Sequence, residues 1–150
     1  MISKIILGIW PTPLVEAKNI SSLLGAGKKL YINRDDLCGL AFGGNKIRRM
    51  EYVLSEAIST GCDCIITGGG CTSNQICAVA ACGARVGLET YIVYPETTPE
   101  STRILCRMLG AKTRLVPSGK DVDAGIRQVS RDLRSAGKKP FPVLQGAPNV

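Results

Sequence analysis

Residues 64–75 have the sequence CIITGGGCTSNQ, in which an apolar run is followed by three glycines and then by hydroxyl and amide side chains. The run over 64–67 is typical of a short buried strand, and the pattern over 73–86 predicts a helix rich in alanine and cysteine that ends at Gly87. A strand that passes through a glycine loop into a helix is the repeating unit of a parallel α/β sheet. This stretch therefore indicates an α/β fold.

The alternation of strand and helix continues on both sides of this unit. Apolar residues at helical spacing predict three further helices, over 46–60, 99–109 and 121–135. Short apolar runs predict three further strands, over 90–94, 113–116 and 141–145. Strands separated by helices of this length are joined by right-handed crossovers. The expected fold class is α/β, a three-layer open parallel sheet with helices on both faces.

Residues 1–43 do not follow this alternation. An extended run over 10–14 leads into a helix predicted over 15–24, and a strand is predicted over 29–34. We therefore expect two parts, an N-terminal segment formed by residues 1–43 and an α/β domain formed by residues 44–150.

Length and composition limit the classes of protein to which the chain can belong. With 150 residues, of which 45% are hydrophobic, the chain can form one sizeable core. The net charge of +7 is spread without a dense basic run, and aromatic residues make up only 5%, which together disfavour nucleic-acid binding. The basic surface is expected to face solvent or an acidic partner subunit. No apolar run is long enough to cross a membrane, so no membrane association is expected.

The seven cysteines could in principle form disulfides or a metal site. Six lie in or beside apolar strand and helix patterns, where free cysteine behaves as a small hydrophobic residue: Cys62, Cys64, Cys71, Cys77, Cys82 and Cys106. The number is odd, no secretory signal precedes them, and there is no histidine and no C-x-x-C pair to bind a metal. We expect free thiols, no metal and a cytoplasmic location.

The glycine loop over 68–70 follows a strand at the edge where parallel α/β sheets bind their ligands. Its backbone N–H groups, together with the helix that begins at Ser73, would suit a carboxylate or a phosphate. Two other interpretations stay open. Ser73 or Thr72 could act only as a helix N-cap. Alternatively, the spacing G-x-G-x-x-S could be an incomplete dinucleotide fingerprint, with Glu96 as the ribose-binding acid.

A second segment, residues 43–51 (GGNKIRRME), places Lys46 in the first turn of a predicted helix, behind two glycines and an asparagine. A cation there opposes the helix dipole, and the glycines allow another group to approach closely. Such a position, with Arg48 and Arg49 adding to the positive field, favours the neutral amine that Schiff-base chemistry requires. A lysine on a helix is nevertheless usually just a solvated side chain.

Longer motifs carry a family resemblance. Residues 34–48, RDDLCGLAFGGNKIR, resemble the signature of the D-cysteine desulfhydrase and 1-aminocyclopropane-1-carboxylate deaminase family, whose members are tryptophan-synthase-β-like (fold type II) pyridoxal phosphate enzymes. Residues 73–75 resemble the second motif of that family, and residues 109–117 resemble a third. The resemblance implies that the α/β domain is the small domain of that fold. It also implies that residues 1–43 normally pack on a large domain.

The resemblance implies roles for individual residues. Lys46 matches the lysine that holds pyridoxal 5'-phosphate as a Schiff base and later moves protons, and Asn74 matches an asparagine beside the cofactor ring hydroxyl. Ser73, with Asn74 and Gln75, matches the helix start that receives the substrate carboxylate, and Ser73 also matches a residue that assists at the substrate carbon. One departure is Cys77, which stands where the family usually has an arginine.

The expected function is that of the lysine-bearing half of a pyridoxal-phosphate-dependent lyase or deaminase acting on a small amino acid. In the family, the phosphate-binding loop and the residue facing the pyridine nitrogen lie in the large domain, beyond the part matched here. We therefore expect a second protein chain to supply that half, and a higher oligomer to form. The alternative is a non-catalytic, partner-binding subunit or remnant of the same fold.

Overall fold

A computed structural model of the chain describes residues 3–70, 73–117 and 121–144. Five α-helices lie in this part of the chain: α1 (Lys18–Leu24), α2 (Asn45–Ser59), α3 (Asn74–Val86), α4 (Glu100–Met108) and α5 (Val122–Ser135). The same residues form six strands: β1 (Leu14–Glu16), β2 (Tyr31–Asn33), β3 (Cys64–Gly68), β4 (Glu89–Pro95), β5 (Lys112–Val116) and β6 (Pro140–Val143). A single 3₁₀ turn, Asp35–Leu37, precedes α2.

The main sheet has four parallel strands in the order β5-β4-β3-β6. Strand β3 is central, because it pairs with β4 on one side and with β6 on the other. Each of the first two crossovers moves one strand outward, and the third, through α5, returns to the opposite edge. This arrangement confirms the open parallel sheet predicted from the alternating pattern.

Helices cover both faces of this sheet. Ile65 and Ile66 are neighbours in β3 and therefore point to opposite faces. Ile65 packs in a cluster with residues of α2 and α3, whereas Ile66 packs with residues of α5. A third cluster joins α3 and α4 to Ile92 of β4, on the same face as Ile65. The three-layer architecture is thus confirmed, with α2, α3 and α4 on one face and α5 on the other.

The N-terminal segment differs from the prediction in one element. The helix predicted over 15–24 begins only at Lys18, because Val15 and Glu16 belong to β1. In that strand Val15 lies opposite Ile32 of β2 in an antiparallel pair. Pairing with a distant strand outweighs the local helical pattern, as often happens for β-branched residues. The last predicted strand also differs, because β6 ends at Val143 and position 145 lies outside the described residues.

The N-terminal segment is not separate from the core of the α/β domain. Leu7 and Cys38 are buried in the same cluster as the apolar side of α2. Strands β1 and β2 pair only with each other in the described part of the chain. The segment therefore contacts the domain chiefly around α2, the helix that carries Lys46.

Candidate active site

Two glycines fix the point at which α2 begins. Gly43 and Gly44 both have positive φ angles, of 65° and 95°, which L side chains rarely adopt. A Cβ added at Gly43 would lie 2.3 Å from the backbone oxygen of Asp36, so no other residue fits there. The backbone N–H of Gly44 donates to the carbonyl of Asp35 at 2.8 Å. The turn before α2 is therefore held against the 3₁₀ turn, and Lys46 follows it directly.

Lys46 lines a cavity of about 360 Å³ between the start of α2 and the start of α3. This volume lies within the range of small-molecule binding sites in proteins. The described residues lining it come from the turn before α2, from α2 itself, and from α3 and α4: Ala41, Phe42, Gly43, Gly44, Asn45, Lys46, Ile47, Asn74, Cys77, Ala78 and Leu105. Lys46 and Asn74, the two residues predicted to contact the cofactor, thus share one cavity.

Arg48 connects the first turn of α2 to the N-terminal segment. Its Nε and Nη2 atoms donate to the two carboxylate oxygens of Asp35 at 2.8 and 2.7 Å, and Nη2 also donates to the hydroxyl of Thr12 at 3.0 Å. The guanidinium lies 4.0 Å from the centre of the Trp10 ring, a cation–π contact. The hydrogen bond from Arg48 also holds the pKa of Asp35 below its usual value.

This ion pair changes the role expected for Arg48. The sequence suggested that Arg48 and Arg49 would add to the positive field at Lys46. The charge of Arg48 is instead offset by a bidentate carboxylate, so it contributes little to such a field. The Nη2 atom of Arg49 lies 3.5 Å from the carbonyl oxygen of Leu144, just after β6. Arg48 acts mainly as a link between α2 and the preceding segment.

Glu51 lies on α2 with 2% of its surface exposed. Its Oε1 atom accepts hydrogen bonds from the backbone N–H of Leu7 at 2.9 Å and of Gly8 at 3.4 Å, and from the indole N–H of Trp10. Lys4 donates to Oε2 at 3.3 Å. Burial by itself raises the pKa of Glu51, but the hydrogen bonds from Leu7, Trp10, Gly8 and Lys4 outweigh it and hold that pKa below its ordinary value.

Ser73 and Thr72 were the two candidates for a side-chain N-cap of α3. Ser73 is the N-cap residue, but its side chain makes no capping hydrogen bond to the described helix. It lies over Gly69, where an added Cβ would be 2.5 Å from the Ser73 Oγ. Ser73 therefore does not act as a side-chain N-cap here. Thr72, the other candidate, lies outside the described residues.

The side chain of Gln75 is directed to the sheet. Its amide donates to the hydroxyl of Thr67 at 3.2 Å, and Thr67 donates to the carbonyl of Val143 at 2.8 Å. These bonds attach the first turn of α3 to the carboxyl ends of β3 and β6. Ser73 and Gln75 are not among the described residues that line the Lys46 cavity. Their predicted contact with substrate stays a prediction.

Several lining residues were not identified from sequence as site residues, among them Phe42, Ala78 and Leu105. Phe42 offered a signal, because an aromatic residue stands directly before the Gly-Gly turn, and it is 65% exposed. Leu105 offered none, because its place depends on how α4 packs against α3.

The described residues contain no group of three or more histidine, cysteine, aspartate or glutamate side chains that could hold a metal ion. Among them there is also no helix with the length and apolar character needed to cross a membrane.

Comparison with known proteins defines the class of protein. A family model described as pyridoxal-phosphate dependent enzyme matches residues 5–150. The chain belongs to this family, and its α/β part is the small domain of fold type II pyridoxal phosphate enzymes.

Two curated relatives within this family have the same name. The chain is 40% identical over 149 residues to 1-aminocyclopropane-1-carboxylate deaminase of Burkholderia ambifaria (strain MC40-6), covering 91% of this chain and 44% of the relative. It is 39% identical over 154 residues to the deaminase of the same name from Variovorax paradoxus, covering 94% and 45%. The chain thus spans less than half the length of these curated relatives.

Solved structures agree with the sequence relatives. The crystal structure of an ACC deaminase homologue superposes with a TM-score of 0.86 at 32% identity, covering 96% of this chain and 45% of that one. A cysteine synthase from Entamoeba histolytica superposes with a TM-score of 0.72 at 21% identity, covering 90% and 40%. The second similarity shows the fold alone.

The residues present at the cavity fit pyridoxal phosphate, the cofactor of this family. To form a Schiff base with an aldehyde, a lysine amine must not be engaged by another side chain. No described side chain forms a hydrogen bond or ion pair with Lys46. The amide of Asn74 lies in the same cavity and can donate to a ring hydroxyl.

The contacts of Glu51 lead to a prediction about stability. Replacing Glu51 with glutamine should lower the free energy of unfolding by about 2 kcal/mol, because a buried charged acceptor of several hydrogen bonds is lost. Since folding lowers the pKa of Glu51, its contribution is complete above the ordinary value of 4.5 and is lost as the pH falls through the lower folded value.

Urea unfolding at a series of pH values measures both effects. Glu56→Gln is the matched control, because Glu56 is exposed on the same helix. The Glu51 variant should lose part of the acid-side slope that the wild type and the control retain. An unchanged slope in the Glu51 variant would contradict the assignment.

Proposed function

We propose that this chain supplies the cofactor-binding lysine of a pyridoxal-phosphate-dependent deaminase or lyase that acts on a small amino acid. The observation that carries the proposal is the meeting of Lys46 and Asn74 in one cavity at the carboxyl end of the parallel sheet. The 40% identity to a 1-aminocyclopropane-1-carboxylate deaminase supports the class of reaction. D-Cysteine desulfhydration is the neighbouring reaction implied by the motif over 34–48.

Lys46 has two roles in this proposal. Its Nζ atom would hold the cofactor covalently, and its amine would also accept or return a proton at the substrate carbon. When bound, pyridoxal phosphate supplies the electron sink for the reaction. The Gly-Gly turn and Arg48 hold the start of α2 in place, so that the amine stays in position for both roles.

The start of α3 completes the site. Asn74 donates from its amide to the cofactor ring hydroxyl. Ser73 and the unpaired backbone N–H groups of α3 receive the substrate carboxylate, which the positive end of the helix dipole also favours. Ser73 further assists proton movement at the substrate carbon. Gln75, whose amide donates to Thr67, fixes the direction of this first turn and so supports the contact of the helix start with the substrate.

A partner surface is part of the proposal. Large apolar side chains of the N-terminal segment are exposed: Ile6, Ile9, Leu14, Leu23, Leu30, Ile32 and Leu37. Trp10, in the same segment, is half-buried against Arg48. Exposed apolar surface of this extent marks an interface. We propose that a second chain covers it, supplies the donors for the cofactor phosphate and joins a higher oligomer.

The assignment of Lys46 is tested by chemical labelling. Borohydride reduction of the assembly loaded with pyridoxal phosphate should fix the cofactor on the peptide that contains Lys46, as read by mass spectrometry. Lys46→Arg should abolish the label, because a guanidinium remains protonated and does not condense. Lys28→Arg, in an exposed turn, is the control and should keep it. Label at Lys29 or Lys112 instead would refute the assignment, and no label at all would favour the non-catalytic subunit.

The role of Ser73 is tested by binding. Ser73→Ala should weaken binding of the amino acid by about 1–3 kcal/mol, because a hydrogen bond to a charged carboxylate is lost. Attachment of the cofactor to Lys46 should be retained. Ser101→Ala, an exposed serine of α4, should leave the affinity unchanged. Equal affinities in all three proteins would assign Ser73 a structural role against Gly69.

The need for a second chain is tested by light scattering. The isolated chain should self-associate and hold pyridoxal phosphate poorly, and a chain with the remaining part of the fold should restore tight binding. The interface should bury roughly 2,000 Å² or more, the size of obligate interfaces. A stable monomer that binds the cofactor tightly and converts an amino acid unaided would exclude the second chain.

A further inference from the structure

Two cysteine thiols meet beside the Lys46 cavity. The Sγ atoms of Cys77 on α3 and Cys106 on α4 lie 4.0 Å apart, although the residues are 29 positions apart in the sequence. Cys77 is half-buried and lines the cavity, so small molecules that enter the cavity can reach it. Cys106 has no exposed surface and packs in the cluster between α3, α4 and β4.

Each of the other described cysteines lacks either access from the cavity or contact with a second sulfur. Cys38, Cys64 and Cys82 are completely buried. Burial raises the pKa of Cys64 and of Cys82 to about 12, and neither side chain lines the Lys46 cavity. Cys62 is half-buried, but its sulfur contacts the hydroxyl of Thr60 rather than another thiol. Within residues 3–70, 73–117 and 121–144, only Cys77 and Cys106 combine access with a sulfur–sulfur contact.

We propose that Cys77 and Cys106 form a peroxide-oxidisable dithiol site, which closes reversibly into a disulfide that joins α3 to α4 at the wall of the Lys46 cavity. This site is independent of the function proposed above, because it needs neither the cofactor nor a substrate.

The chemistry proceeds in two balanced steps. Cys77 gives up its thiol proton, and the thiolate attacks one oxygen of hydrogen peroxide. The O–O bond breaks, a sulfenic acid forms, and the departing hydroxide takes up that proton to become water. Cys106 then attacks the oxidised sulfur, the S–O bond breaks, and the thiol proton of Cys106 leaves with the hydroxyl group as a second water. Overall, two thiols and one peroxide give one disulfide and two waters. A small thiol such as dithiothreitol reverses the reaction by exchange.

The packing around the pair permits this step. A disulfide bond is about 2 Å long, so the two sulfurs must approach each other by about 2 Å. Cys77 lines the cavity, so its side chain has space on that side in which to rotate. Burial, followed by the nearby Cys77, raises the pKa of Cys106 to about 12, so Cys106 keeps its proton until it attacks. Cys77 is thus the residue oxidised first, and Cys106 the residue that resolves it.

The disulfide has a consequence for the cavity. Bond formation draws the Cys77 sulfur toward Cys106 on α4. Without a resolving thiol, an oxidised Cys77 would stay in the wall and could accept a bulky adduct there. The pair therefore protects the space around Lys46 during oxidation.

Mass spectrometry of the full chain tests the site. The reduced protein is treated with hydrogen peroxide, its remaining thiols are alkylated, and its peptides are mapped. Before alkylation, we expect the mass of the oxidised chain to be lower by two hydrogen atoms. The peptide map should contain one cross-linked pair that joins Cys77 to Cys106. Dithiothreitol should reverse both changes. Cys77→Ser should lose the cross-link, whereas Cys62→Ser, which replaces a half-buried cysteine without a thiol partner, should keep it.

A second variant separates the two roles. In Cys106→Ala, which keeps the buried position small and apolar, Cys77 should accumulate as sulfenic acid and take up dimedone. The wild type should take up several times less. A cross-link from Cys77 to Cys71, direct formation of sulfinic acid at Cys77 in the wild type, or no reaction of Cys77 would each overturn the proposal.

Discussion

The carboxylate of Glu51 is buried on α2 and accepts hydrogen bonds from the backbone of Leu7 and Gly8 and from the indole of Trp10. A buried charge is costly unless several donors surround it, and here the donors come from a segment 41 to 44 positions away in sequence. Removal of those donors would leave the charge unpaired inside the protein. The carboxylate therefore fixes the N-terminal segment against the helix that carries Lys46.

Further contacts follow from this one. Trp10, held by Glu51, presents its ring to the guanidinium of Arg48, and Arg48 in turn binds both oxygens of Asp35. The backbone carbonyl of Asp35 accepts the N–H of Gly44, immediately before α2. The first turn of α2 is thus held in place by the contacts of its own side chain Arg48 and by the backbone hydrogen bond of the turn that precedes it. A group that must both bind a cofactor and transfer protons needs this kind of preorganised support.

The sequence predicted the part of the fold that depends on local patterns. The strands and helices after residue 44 follow from apolar periodicity and glycine ends. The resemblance of two motifs, residues 34–48 and 73–75, to one family placed Lys46 and Asn74 at the same cofactor. The pairing of β1 with β2 was missed because Val15 and Ile32 meet only in the folded chain. Glu51 was missed for the same reason, since a glutamate in a helix is usually solvated. The fit of Cys77 against Cys106 depends on the register of two helices, which no local pattern specifies.

The two walls of the Lys46 cavity are stabilised by different forces. On the α2 side, charged hydrogen bonds with defined directions hold Arg48 and its neighbours, so small displacements of the lysine are costly. On the α3 and α4 side, the wall includes the side chains of Cys77, Ala78 and Leu105, none of which forms an ion pair in the described part of the chain. Packing contacts have no direction and adjust to changes of volume more easily than a bidentate ion pair does. The structure therefore combines a fixed start of α2 with a more adjustable opposite wall formed by α3 and α4.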